Sequence, residues 1–240
     1  MKTILYVHGL GGGGDSRIPG ILAEHYAART DASESVRVIC RTYDFDPEKA
    51  AEMLQQLVQE VQPDLIIGES LGAAQALRLP YLIPQTPAGD TRDATKPVPH
   101  LFVSPSLGGP LWLGRMAFLA LIPGIRPLFN YIYKPKHPGD RQVSDFKYST
   151  LKKYRSHNRI ALETARKGQE DAAGQGDKAQ PYFAFFGTKD HYRRSGVVSI
   201  PRWEKLFGKE SYALYEGTHF MEEEYIDSMV IPRIDALLHL

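Results

Sequence analysis

Three residues of this chain could together run acyl-transfer chemistry: Ser70, Asp190 and His219. A serine hydroxyl is a poor nucleophile until a base takes its proton. A histidine can do that and later protonate the leaving group, and a carboxylate can hold the imidazole and stabilise its charged form. Ser70 sits in Gly68-Glu69-Ser70-Leu71-Gly72, after the apolar run Leu65-Ile66-Ile67 and before the helix-forming Ala73-Ala74-Gln75-Ala76. That is the pattern of a nucleophile elbow, a strand that turns sharply into a helix with the serine at the bend. Small residues are needed on both sides, and Gly68 and Gly72 supply them. The competing reading is a glycine-rich loop with an incidental serine, so the elbow counts only if partners appear.

The partners need elements to carry them. Lys2–Val7 reads as a short buried strand, followed by Val36–Cys40, Leu65–Ile67, His100–Ser104, Tyr182–Phe186 and Ser211–Tyr215. Helices are expected between them: Pro19–Arg29, Asp46 to Val61, Leu71–Leu79 and Pro201–Phe207, with Glu222–Leu240 closing the chain. Asp46 can cap the second of these, Pro47 fits its first position, and Ala50, Met53, Leu54, Leu57, Val58 and Val61 make one apolar stripe. Alternating strands and helices imply a parallel sheet covered on both faces. The expected fold is α/β, an open sheet of six parallel strands in the order 2-1-3-4-5-6. Ser70 then follows the third strand, Asp190 the fifth through Gly187-Thr188-Lys189, and His219 the sixth through Glu216-Gly217-Thr218. That edge of an open parallel sheet is where ligands bind.

Other residues compete for these roles. A lone histidine is by default a satisfied core residue, but the place of His219 after the last strand argues otherwise. Glu216 is the rival to Asp190, which is favoured because it lies four residues past a buried strand. The glycine-rich loop His8-Gly9-Leu10-Gly11-Gly12-Gly13-Gly14 follows the first strand. It lacks the Gly-Lys-Ser/Thr of a P-loop and the strand-to-helix spacing of a dinucleotide fingerprint. Its backbone N–H groups can instead serve an oxyanion, so the amides of Leu10 and Leu71 are expected to form the hole. His8 is read as ordering its loop, and His25, His137 and His157 as surface residues.

Four stretches together carry a resemblance: His8-Gly9-Leu10-Gly11, Gly68-Glu69-Ser70-Leu71-Gly72, Gly187-Thr188-Lys189-Asp190 and Gly217-Thr218-His219-Phe220. At these the chain resembles the α/β-hydrolase superfamily, whose nucleophile, acid and histidine come in this order. More narrowly it is similar to the small bacterial esterases of the YqiA type, which share the N-terminal strand-His-Gly and the Gly-x-Ser-Leu-Gly elbow. The resemblance implies a serine hydrolase, and the expected reaction is hydrolysis of an ester or thioester through an acyl-enzyme. A peptidase or amidase on the same triad, and a non-catalytic binding protein of the same fold, are the alternatives.

Between the fourth and fifth strands the rhythm breaks. Pro84–Pro99 before it is polar and proline-rich and reads as a surface loop. Pro105 to Gln180 shows no buried strand; it is apolar to Tyr133 and basic and polar beyond, with a helix over Leu151–Lys167 and a small, polar connection over Gln169–Ala179. Residues 105–159 are expected to form a helical cap within a single domain, 1–240. Its Leu107, Leu111, Trp112, Met116, Phe118 and Leu119 could roof a pocket for the substrate's acyl group. For each of them a place in the core is as good a reading. Trp112 and Met116, with Tyr192 beside the acid, are the candidate substrate-binding residues.

Composition excludes several classes. The 240 residues suit one domain, with 42% apolar and 24% charged residues. A net charge of +1 gives no ground for nucleic acid as a partner. Leu111 to Ile132, the most apolar region, is interrupted by Arg115, Pro123-Gly124, Arg126 and Pro127, whereas a membrane span needs roughly 20 unbroken apolar residues. The single cysteine, Cys40, reads as a buried structural thiol and fits a reducing compartment. With no signal peptide pattern at Met1–Gly9, the expected location is the cytoplasm. No His/Cys/Asp cluster has metal-ligand spacing, so neither metal nor cofactor is expected; the expected partner is a small acyl ester.

Overall fold

The computed structural model describes residues 1–29, 35–84, 95–135, 139–174 and 181–240. Six strands form one parallel sheet: β1 (Lys2–Val7), β2 (Val36–Cys40), β3 (Leu65–Glu69), β6 (His100–Val103), β7 (Tyr182–Gly187) and β8 (Tyr212–Tyr215), in the order β2-β1-β3-β6-β7-β8. This is the expected order 2-1-3-4-5-6. The central strands β1, β3 and β6 carry apolar runs (Ile4–Val7, Leu65–Ile67 and Leu101–Val103) that are fully buried, as a doubly covered parallel sheet requires.

The two faces carry separate cores. On one, α2 (Pro47–Val61), the elbow helix α3 (Gly72–Ala76) and α7 (Ile200–Phe207) pack with Leu5, Ile66, Phe102 and Phe186. On the other, α1 (Arg17–Ala27) and the C-terminal helices cover Ile4, Tyr6, Ile67 and Val103. The helix starts follow from local chemistry. Asp46 accepts from the Glu48 amide at 3.0 Å and Pro47 occupies the first turn of α2. Ser199 caps α7 ahead of Pro201 in the same way.

Five expectations need correction. The expected loop over Pro84–Pro99 holds a strand: β5 (Thr95–Pro97) pairs antiparallel with β4 (Leu82–Pro84), while the residues between them lie outside the described part. The helix α6 runs over Tyr148–Gly174, longer at both ends than expected, so part of the supposed connection is helical; residues 175–180 lie outside the described part. The elbow helix is regular only to Ala76. The closing helix is broken into α8 (Glu223–Tyr225), a π-helical turn at Ile226–Val230 and α9 (Ile231–Leu238). Pro232 has no N–H to give, and its ring collides with the carbonyl one turn back, so the hydrogen-bond ladder is widened just before it.

The fifth correction concerns histidines. His157 is buried between α6 and α3, with Nε2 3.2 Å from the Ala74 carbonyl and Nδ1 facing the Arg78 guanidinium at 3.1 Å. His25 is half-buried and His137 lies outside the described residues. His8 and His100 are also buried, each with Nδ1 against a carbonyl, that of Gly9 at 2.8 Å and of Val98 at 3.0 Å. Burial pushes all three imidazoles down to about 4.

Between about pH 6.5 and pH 4 the unfolded chain therefore takes up protons at these three sites that the folded chain refuses. Stability should be full above pH 6.5 and should fall as the pH drops through this window, by ~1.4 kcal/mol per pH unit for each proton involved. Glu69, whose carboxyl is pushed up by burial, opposes this with a single proton. Thermal unfolding at pH 7.5, 6 and 5 checks it: Tm should fall at each step, and a Tm that rises on acidification would contradict the burial of neutral histidines.

Candidate active site

The elbow is built from close approaches. Ser70 has φ of +49°, a left-handed conformation that costs a serine energy and persists only where its surroundings enforce it. A Cβ on Gly72 would lie 2.2 Å from the His8 carbonyl oxygen, so only glycine lets the start of α3 pass under β1. The Ser70 amide donates to Val103 (3.0 Å) and the Ser70 carbonyl accepts from Ser106 (2.9 Å), which ties the bend to the chain leaving β6.

The His-Gly loop closes over the elbow from the other side. A Cβ on Gly9 would stand 3.1 Å from the Ser70 Cβ, so the loop backbone passes directly beside the serine. The loop is held by His8, stacked on Tyr43 with ring centroids 4.1 Å apart, and by the Tyr43 hydroxyl, which donates to the His8 carbonyl. Farther along, the Gly13 amide donates to Ser16 Oγ at 2.9 Å and the Cys40 thiol faces the Gly13 carbonyl at 3.3 Å. Cys40 is half-buried rather than buried, and its thiol is pushed up to about 12, mainly by burial. It is a neutral packing group. Leu10 and Leu71 both line the space in front of Ser70, and their amides donate to no other loop or turn carbonyl among the described residues.

Ser70, His219 and Asp190 form a continuous hydrogen-bonded chain. His219 Nε2 lies 2.8 Å from Ser70 Oγ, and His219 Nδ1 lies 2.7 Å from Asp190 Oδ2. Both His219 and Asp190 are buried. The second oxygen of Asp190 accepts from the Tyr192 amide at 2.8 Å, which fixes the carboxylate's rotation. The Tyr192 ring meets the His219 ring edge-on at 4.7 Å. Glu216, the rival acid, is exposed and pairs with Lys189 at 2.9 Å. The His219 loop is held in turn by Tyr215, whose hydroxyl donates to the Thr218 carbonyl at 2.7 Å and lies 3.0 Å from Ser104 Oγ.

Parallel strands in this order, a serine in a strained strand-to-helix turn, and an acid and a histidine following the next strands decide the architecture. The chain has the α/β-hydrolase fold. Its helical segment between β6 and β7 comprises α4 (Gly109–Met116), a 3-10 turn at Ala117–Leu121, α5 (Ile125–Ile132) and the first turns of α6. Leu113, Ala117, Phe146, Leu151 and Tyr154 make a small core of their own with Phe45, and Leu10 and Leu71 pack against its edge.

No family model matches the sequence, and no curated protein matches it either. Among solved structures, a metagenome-derived lipolytic enzyme from work on LipS and LipT aligns at 13% identity over 99% of this chain and 93% of its own, with a TM-score of 0.49. Est816, described as an N-acyl homoserine lactone degrading enzyme, aligns at 13% over 100% and 92%, with a TM-score of 0.45. The α/β hydrolase MGS-M2, from a deep-sea metagenome library of the Medee basin, aligns at 11% over 99% and 88%, with a TM-score of 0.46. These comparisons do not show the narrower YqiA-type resemblance.

A cavity of about 770 Å³ opens above Ser70. Trp112 and Tyr192 line it; Met116, Leu107, Leu111, Phe118 and Leu119 do not. Leu107 is instead buried in the main core, and Phe118 is exposed. Sequence reasoning missed several lining residues: Glu69, Ser106, Tyr133 and the cations Arg17, Lys134 and Arg141. Ser106 is buried with its Oγ 3.2 Å from Ser70 Oγ. The signal for it was present, since Ser104-Pro105-Ser106 leaves the strand next to the elbow strand. Glu69 accepts from the Tyr6 hydroxyl at 2.9 Å beneath the serine. Among the described residues no cluster of His, Cys, Asp and Glu could hold a metal ion.

Gly72→Ala tests the close packing behind the elbow. The added methyl meets backbone rather than a flexible side-chain tip, so β1 or α3 must move. Overpacking of this kind costs roughly 1–3 kcal/mol, and Tm should fall by several degrees. An unchanged Tm would contradict the packing described.

Proposed function

We propose that the chain is a serine hydrolase that cleaves a carboxylic ester or thioester through an acyl-enzyme. The observation that carries this reading is the unbroken chain Ser70 Oγ, His219 Nε2, His219 Nδ1, Asp190 Oδ2, with links of 2.8 and 2.7 Å, at the floor of a largely apolar cavity. These lengths suit direct proton transfer between serine and imidazole.

In the proposed cycle Ser70 Oγ attacks the substrate carbonyl carbon as His219 Nε2 takes its proton. Asp190 accepts the Nδ1–H throughout and stabilises the imidazolium. The carbonyl oxygen becomes an oxyanion, received by the amides of Leu10 and Leu71; removing one such donor elsewhere has cost about 3 kcal/mol. Collapse expels the alkoxide or thiolate, which leaves with the proton from His219. Water then attacks the acyl-enzyme with His219 as base, and the acid product departs with Ser70 restored. Leu10 and Leu71 act through their N–H groups, so changes to their side chains matter only through shape. Trp112 and Tyr192 are the proposed acyl-contacting residues. The segment 105–159 serves as the cap that shapes the cavity, within a single domain.

Turnover of a short-chain p-nitrophenyl ester tests the assignment. Ser70→Ala should lose on the order of 10⁴-fold or more while unfolding at the parent temperature. Asp190→Asn should lose about 10⁴-fold in kcat, because the imidazole is then held in the wrong tautomer. Near-parental turnover in a folded Ser70→Ala protein would refute the proposal.

A further inference from the structure

The cap carries an apolar surface that nothing else in the described structure covers. Phe118, Leu121, Ile122, Leu128, Tyr131 and Ile132 are between 49% and 81% exposed. The helix α5 has no buried residue at all, although its apolar and polar side chains segregate to opposite faces. Single exposed apolar residues are ordinary, but six of them within residues 118–132, on the 3-10 turn, α5 and the link between them, mark a contact surface.

Charge says what that surface meets. Residues 107–162 hold ten lysines and arginines against two acidic residues, a net +8 in a chain whose total is +1. The remainder of the chain is therefore net −7. The two acids are Asp140 and Asp145. Asp145 is engaged by both Arg126, at 3.0 Å, and Lys147, at 2.6 Å, while Arg141 and Lys153 pair with Asp15 and Asp46 outside the segment. Arg115, three residues before Phe118, and Lys134, two after Ile132, have no ion-pair partner among the described residues. Lys152 lies over the Tyr148 ring, which in turn packs on Phe118.

From these observations we infer that the cap docks on an anionic lipid surface, with α5 and the preceding 3-10 turn lying in the headgroup layer. Exposed aromatic and aliphatic side chains flanked by lysine and arginine are what such an interfacial helix needs: apolar area supplies the insertion and cations the attraction to anionic headgroups. Two copies of the chain meeting through this patch would bring its unpaired cations, Arg115 and Lys134 among them, against one another, which disfavours a symmetric dimer. Among the described residues no helix is long and apolar enough to cross a membrane, so the contact lies on the surface. Trp112, Leu113, Tyr133 and Lys134 belong both to this segment and to the cavity lining, so the docked face borders the mouth of the cavity above Ser70. The docking itself does not depend on the catalytic role proposed for Ser70.

Vesicle co-sedimentation of the full chain tests it. With vesicles of equal parts phosphatidylglycerol and phosphatidylcholine, the bound fraction should exceed that on phosphatidylcholine alone by about tenfold and fall in about 0.5 M salt. The double substitution Leu121→Asp, Ile122→Asp, at two exposed positions, should abolish binding while leaving Tm and turnover of a soluble ester unchanged. Arg115→Glu should weaken binding several-fold. Equal binding to both vesicle types, no binding to either, or a concentration-dependent dimer in light scattering that the double substitution dissolves would each overturn the inference, the last in favour of a second copy as the occupant.

Discussion

The structure depends on the parallel register of β3, β6, β7 and β8 being carried past the ends of the strands. The ladder does not stop where the regular strands do. Ser70 donates to Val103, Ser104 to Phe185 and Thr188 to Tyr215, each at 2.9–3.0 Å. Each bond contributes on the order of 1 kcal/mol, and together they hold three loops at one height above the sheet. That offsets the strain of a serine at φ +49°, which costs about 1–3 kcal/mol. A slip of one residue in any of these pairings would move Ser70, Asp190 or His219 by ~3.3 Å, more than a hydrogen bond can absorb.

The sheet was legible in the sequence because its strands are short apolar runs, each ended by glycine, proline or a polar turn. The order of Ser70, Asp190 and His219 along the chain then placed them on one edge. Less legible were features decided by contacts from elsewhere in the chain. Gly168 reads as a helix stop, yet α6 runs through it; the glycine is there because any Cβ would strike the Tyr182 hydroxyl. His157 looks like a surface residue of a polar helix until α3 and Arg78 are placed beside it. The β4–β5 pairing joins two three-residue strands on either side of a polar stretch, too short to show a period. Ser106 and Glu69 have ordinary neighbours in sequence and become site residues only through tertiary placement.

The cap is divided in what it packs against. The later turns of α6 supply Ala161 and Ala165 to the main core, as any sheet-covering helix would. Its first turns, with α4, build the satellite core around Phe146. Lys153 pairs with Asp46 at 2.6 Å, and the Tyr154 hydroxyl donates to the Phe45 carbonyl at 2.7 Å, so the cap is bolted to the start of α2. The outer helix α5 is held more lightly, through the partly buried Phe129 and the Asn130 side chain, which accepts from the Phe146 amide at 3.0 Å. The apolar residues expected to roof the cavity thus split three ways: Trp112 to the cavity, Leu107 to the core, and Phe118 to the surface.

The claim on which the rest stands is that Ser70 alone among the chain's serines is made nucleophilic by His219. Reaction with a fluorophosphonate, followed by peptide mapping, measures it directly. The account predicts a single phosphonylated residue, Ser70, and loss of labelling in folded His219→Ala protein. Labelling at Ser106 or elsewhere with Ser70 unmodified, or labelling of Ser70 undiminished without His219, would contradict it.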